Sequence, residues 1–141
     1  MTNLAAPRPI ADILALPRLH MAARLALASP FLISAVMKLV DFGEAMNEVA
    51  ALGLRPAAPT AVAVILIQLG GSILFLTRRY CWLGAGTLAV FTAFATLLAH
   101  PFWTFDAADR ARQAATFFEH VALVGGLALA ALFVNGRSEE S

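Results

Sequence analysis

Two stretches of this sequence, residues 56–77 and 80–105, contain no charged side chain. Each is longer than the ~20 apolar residues that cross a ~30 Å hydrocarbon core. Two further stretches, 19–40 and 114–135, are as long but carry Arg24, Lys38 and Glu119. A soluble fold of 141 residues has too much surface to cover when 60% of them are hydrophobic and 13% charged. The fold class that follows is all-α: an integral membrane four-helix bundle, up-down-up-down, with lipid as its solvent.

The rest of the composition is mainly exclusive. A net charge of +1 gives no basis for nucleic-acid binding and no polybasic lipid patch. The single cysteine, Cys81, excludes an internal disulfide, a CxxC redox pair and a thiolate metal cage, and reads as an interfacial packing residue. Ala26-Leu27-Ala28 mimics a signal-peptide cleavage site, but Arg24 just before it makes the segment a retained span. Gly84-Ala85-Gly86 lacks the rest of a dinucleotide fingerprint.

Punctuation residues divide the chain. Residues 1–17, with Pro7, Pro9 and Pro17, form an N-terminal arm with a short interfacial helix over 10–16. The transmembrane domain covers 18–136, with spans at about 18–40, 60–77, 81–100 and 107–135 and a tail at 137–141. Pro30 removes a backbone bond inside the first span and is expected to bend it. Between the first two spans, Phe42, Met46, Val49 and Leu52 recur at helical spacing opposite Glu44, Asn47 and Glu48, which predicts a short amphipathic helix on the interface. Asp106 is placed to cap the last span, and Gly136 to stop it. Gly70, Gly71, Gly125 and Gly126 read as close-packing contacts between helices.

The short Arg78-Arg79 loop, with Arg8, Arg18, Arg24 and Arg137, outweighs Lys38, Arg55, Arg110 and Arg112, so both termini are expected inside. Tyr80 and Trp82 then mark the inner interface and Trp103 the outer. Periodicity gives each span an inward stripe: Arg24, Phe31, Ser34 and Lys38; Gln68, Gly71 and Ser72; Gly86, Ala89, Ala93, Thr96 and His100; Thr116, Glu119, Leu123 and Gly126, with His120 beside them. Antiparallel spans bring Lys38, His100, Glu119 and His120 to the outer end, with Gln68 beneath them. A carboxylate in hydrocarbon needs a partner, so Glu119 is expected to pair with Lys38, with His100 or His120 second. The competing reading is that these groups snorkel to the headgroups or lock helices together. A metal site is weaker: adjacent residues on a helix point about 100° apart, so Glu119 and His120 chelate poorly. His20 falls at the opposite face, and no metal is assigned.

In order, Arg24, Ser34-Ala35-Val36-Met37-Lys38-Leu39, Leu52-Gly53-Leu54, Gln68-Leu69-Gly70-Gly71, Thr77-Arg78, His100-Pro101-Phe102-Trp103, Phe118 and Gly125-Gly126-Leu127 resemble the DoxX family of small bacterial four-helix membrane proteins. The resemblance covers about residues 24–131. That family typically carries Glu where this chain has Gln68, and Lys-Asn where it has Glu119-His120, which implies a family ion pair rewired toward Lys38. The resemblance also implies a redox setting, because some relatives are subunits of thiosulfate:quinone oxidoreductases and others act in thiol-stress complexes.

Two functions follow as expectations. One is an accessory or quinone-interacting component of a membrane redox system, with His100 or His120 bonded to a quinone and Glu119 relaying protons. The other is a non-catalytic scaffold or anchoring subunit, whose glycine faces meet a partner protein or a second copy of the chain. No redox cofactor motif is present, and quinone is the candidate ligand. The expected place is the bacterial inner membrane. A transporter is disfavoured by the absence of paired broken spans.

Overall fold

The computed structural model describes residues 6–139. Residues 1–5 of the expected arm and 140–141 of the expected tail lie outside them. Six α-helices follow one another: α1 (Arg8–Leu14), α2 (Pro17–Val40), α3 (Phe42–Ala51), α4 (Ala57–Leu76), α5 (Cys81–Ala99) and α6 (Ala107–Glu139), with a 3-10 turn at Phe102–Thr104 before the last. Among them α2, α4, α5 with its following turn, and α6 to Asn135 are long and apolar enough to cross a membrane. α3 is the short helix between the first two spans.

Several boundaries differ from those expected. α4 begins at Ala57 rather than Thr60, so Pro59 lies in its first turn, where the missing N–H has no helical acceptor in any case. α6 continues through Gly136 to Glu139. A glycine costs a helix about 1 kcal/mol but stops it only when the chain turns left-handed, and Gly53 alone has positive φ among the described residues. Gly53 ends α3 in that way, donating to Ala50 O while Leu54 donates to Val49 O. Asp41 caps the same helix by accepting from Glu44 N. The expected cap of α6 is present: Asp106 Oδ1 accepts from Ala108 N and Asp109 N, each at 3.1 Å.

Pro30 lies within a continuous α2. The carbonyl it cannot serve is that of Ala26, four residues back, and Ser29 Oγ donates to that oxygen at 2.8 Å. A neighbouring hydroxyl thus replaces the lost backbone donor.

The spans alternate in direction. Arg24 near the start of α2 meets Phe75 and Thr77 at the end of α4, and His100 at the end of α5 meets Gln113 near the start of α6. α4 packs on both α2 and α5, and α5 on α6, whereas α2 and α6 meet only locally, at Leu27 against Gly126 and at His20 against Phe133. The bundle is therefore closed along three seams and loosely packed along the fourth. Its main core joins Ala28 and Phe31 of α2, Phe75 of α4, Cys81, Ala85 and Leu88 of α5, and Leu127 of α6. A smaller core, Ala45, Val49 and Ala61, fixes α3 on α4.

The closest backbone approach is at Gly84. A Cβ there would overlap the backbone of Phe75 and stand 2.6 Å from Gly71 O. Gly71 and Gly126 are also contact positions, a Cβ falling 2.8 Å from Leu88 Cδ2 and 2.9 Å from Leu27 Cδ2 respectively. Gly70 and Gly125 face open space, which corrects their reading as packing residues. In each Gly-Gly pair the second residue lies on the seam and the first is turned away by one helical step.

Candidate functional site

The five polar residues expected to converge at one end separate into two groups. The first joins α2, α3 and α4. Lys38 Nζ lies 2.5 Å from Glu48 Oε2 of α3 and donates to Ser34 Oγ at 3.3 Å, and Gln68 Nε2 donates to the same hydroxyl at 3.2 Å. The partner of Lys38 is therefore Glu48, not Glu119. α3 folds back against α4 and α2, bringing the polar face of the connector within reach of the α2 terminus. Gln68 is buried, with Oε1 lacking a partner, and Ser72 Oγ one turn further is likewise buried and unpaired.

The second group joins α5 and α6. Thr96 Oγ1 donates to Thr92 O at 2.6 Å and stands 2.8 Å from His120 Nδ1. A hydroxyl has one proton and that carbonyl can only accept, so His120 donates from Nδ1. His100 Nδ1 faces the carbonyl Oε1 of Gln113 at 2.7 Å and donates to it. The two imidazoles meet edge to face with centroids 5.2 Å apart. Neither Nε2 has a hydrogen-bond partner among the described residues, so each presents a free lone pair.

Glu119 belongs to neither group. It is exposed and has no ion pair or hydrogen bond among the described residues. The seam of α6 runs through Thr116, His120, Leu123 and Leu127, not through Glu119, which lies one step of about 100° away. The expected α5 stripe is corrected in the same sense: Gly86 and Ala93 are exposed, and the buried face is Cys81, Gly84, Ala85, Leu88, Thr92 and Thr96. Gln113 was missed although it stands seven residues before His120 and so shares its face. Among the described residues no group of three or more His, Cys, Asp or Glu could hold a metal ion.

An aromatic cluster borders the imidazoles. Trp103 meets Phe102 and Phe117 edge to face at 5.2 and 5.9 Å. Such a belt suits the membrane interface, where rings keep one edge wet.

At the other end of the bundle, Arg24 is buried on α2. Its Nη2 donates to Phe75 O and, at 2.9 Å, to Thr77 O, while the guanidinium lies over the Phe75 ring at 5.5 Å. These carbonyls end α4, so Arg24 places a cation where the helix dipole and its orphan acceptors both favour one.

Four antiparallel apolar helices, with polar side chains collected on their inner seams, define a multi-pass integral membrane protein. Its family follows from residues 19–101, which match the DoxX family model over more than half of the chain; the protein belongs to the DoxX family. That match ends at the close of α5, so His100 lies within it and Glu119 and His120 beyond it. No curated protein and no solved structure matches the chain.

Proposed function

We propose that this DoxX-family protein is an accessory component of a membrane redox system, in the bacterial inner membrane with both termini cytoplasmic, and that it handles the protons of a quinol at the His100–His120 end. The observation that carries this reading is the pair of imidazoles whose Nδ1 atoms are committed to protein acceptors. Their Nε2 lone pairs are left to accept from a ligand, which suits the hydroxyl groups of the reduced form better than the carbonyls of the oxidised one. A bound quinol would supply two electrons and two protons. His100 and His120 orient its hydroxyls and take up the protons, and a redox partner takes the electrons. Trp103, packed on Phe117 one helical turn from His120, is the built-in reporter. Titrating the protein in lipid nanodiscs with a short-chain quinol should quench Trp103 saturably in a Trp82→Phe background. The quenching should disappear in His100→Ala and His120→Ala. Linear, unsaturable quenching overturns the reading.

A second reading, a scaffold without chemistry, is favoured by the outward placement of Glu119. A charged side chain facing lipid costs up to about 2.5–3.5 kcal/mol at a helix centre, and a partner helix covering α6 would relieve that cost. Light scattering of purified protein should then show a stoichiometric complex or homo-oligomer that dissociates in Glu119→Lys. A monomer unchanged by that substitution removes the reading.

A further inference from the structure

The loosely packed seam holds a cavity at the Arg24 end, away from the imidazoles. Between α2 and α6 runs a groove of about 860 Å³ whose wall includes Leu27, Leu129, Ala130 and Phe133, with Arg24 and Arg78 also lining it. That volume falls within the ~300–1,000 Å³ usual for ligand sites. Leu27 against Gly126 narrows the seam at depth. Nearer the helix ends the His20 ring of α2 meets Phe133 of α6 edge to face at 4.9 Å, and Pro17 and Arg78 line the groove there, where a lipid headgroup would lie.

The charges in this groove are one-sided. Arg24 is 6% exposed, and its Nε has no acceptor. The carbonyls of Phe75 and Thr77 solvate the guanidinium but are neutral, so its charge has no counterion among the described residues. Arg78 follows Thr77 directly and adds a second cation, exposed at the mouth. No Asp or Glu lines the groove among the described residues. A guanidinium keeps its charge when buried, and a desolvated charge without a counterion attracts an anion strongly.

We propose that this groove binds an anionic phospholipid, one acyl chain lying along the α2–α6 seam and the phosphate held between Arg24 and Arg78. The apolar wall by itself would accept any lipid chain. The paired arginines select the headgroup by charge, and their planar donor forks suit a phosphate. The site is independent of the imidazole pair, because it lies at the other end of the bundle and shares no residue with it.

Native mass spectrometry tests the site on the full chain in detergent, supplied with equimolar phosphatidylglycerol and phosphatidylcholine of identical acyl chains. The wild-type protein should retain one phosphatidylglycerol in preference. Arg78→Ala, a surface change that leaves the α4 cap in place, should reduce that preference about fivefold, the effect of one basic residue at a membrane surface. Ala130→Trp, which fills the groove, should abolish retention of either lipid. Equal retention of the two lipids by the wild type, or a preference unchanged in Arg78→Ala, overturns the proposal. Displacement of phosphatidylglycerol by a neutral isoprenoid quinone does so as well.

Discussion

The two ends of the bundle solve the problem of polar groups in a membrane in opposite ways. At the Lys38 end polar side chains are answered by other side chains: Lys38 by Glu48, Gln68 by Ser34, His120 by Thr96, His100 by Gln113. At the Arg24 end a buried cation is answered by backbone carbonyls, beside an apolar groove with no acid in its wall among the described residues. Mutual satisfaction spreads stability over many weak contacts. The buried cation concentrates it in one residue and leaves a charge for something outside the chain to meet.

The sharpest way to break this contrast is at the helix contact that holds the Arg24 end together. Gly84→Leu should destabilise by about 3 kcal/mol or more, because the new side chain meets the Phe75 backbone rather than a movable side-chain tip. Gly86→Leu, two residues on and facing open space, should be close to neutral. Thermal unfolding in detergent measures both.

Next comes Arg24→Gln, which removes charged donors from two carbonyls at the end of α4. A loss of about 1.5–3 kcal/mol is expected, larger than for Lys38→Met, whose half-exposed partner Glu48 can turn to water. Equal losses in the two variants would erase the difference between the ends. A smaller effect is expected for Thr96→Val. It removes the acceptor of His120 Nδ1 for about 1 kcal/mol of stability, and frees the imidazole to choose the other tautomer. Quinol affinity should fall in that variant while the fold survives.

The smallest effect is the coupling of Lys38 with its partner. A Lys38→Ala, Glu48→Ala cycle should give roughly 0.2–1 kcal/mol, because the Glu48 partner is half exposed. The same cycle with Glu119→Ala should give no coupling beyond about 0.3–0.5 kcal/mol, the usual limit of additivity. The reverse result would return Lys38 to Glu119 and join the two polar groups into one.

These outcomes trace what was readable from the chain. The four spans were legible because lipid imposes long uncharged runs, and so was the short amphipathic helix between the first two. The pairing within the candidate site was not. Helical periodicity places residues to within a step of about 100°, and at α6 that one step separates an inward His120 from an outward Glu119. Glu48 was set aside because the polar face of an interfacial helix ordinarily meets water. Only the fold-back of α3 on α4 shows that part of this face meets Lys38. Arg24 falls on the inward stripe of the first span, but nothing in its local pattern names the carbonyls of Phe75 and Thr77 that it meets. The groove beside it depends on how far α2 stands from α6, a distance that no local pattern encodes.

The backbone contact at Gly84 bears on how the chain enters the membrane. It lies one turn after the loop between α4 and α5, so these two spans can close on each other as soon as both have left the ribosome. The hairpin would then insert as one object. On this view α2 is joined to a preformed neighbour through Arg24, and α6 arrives last against a face that is already complete.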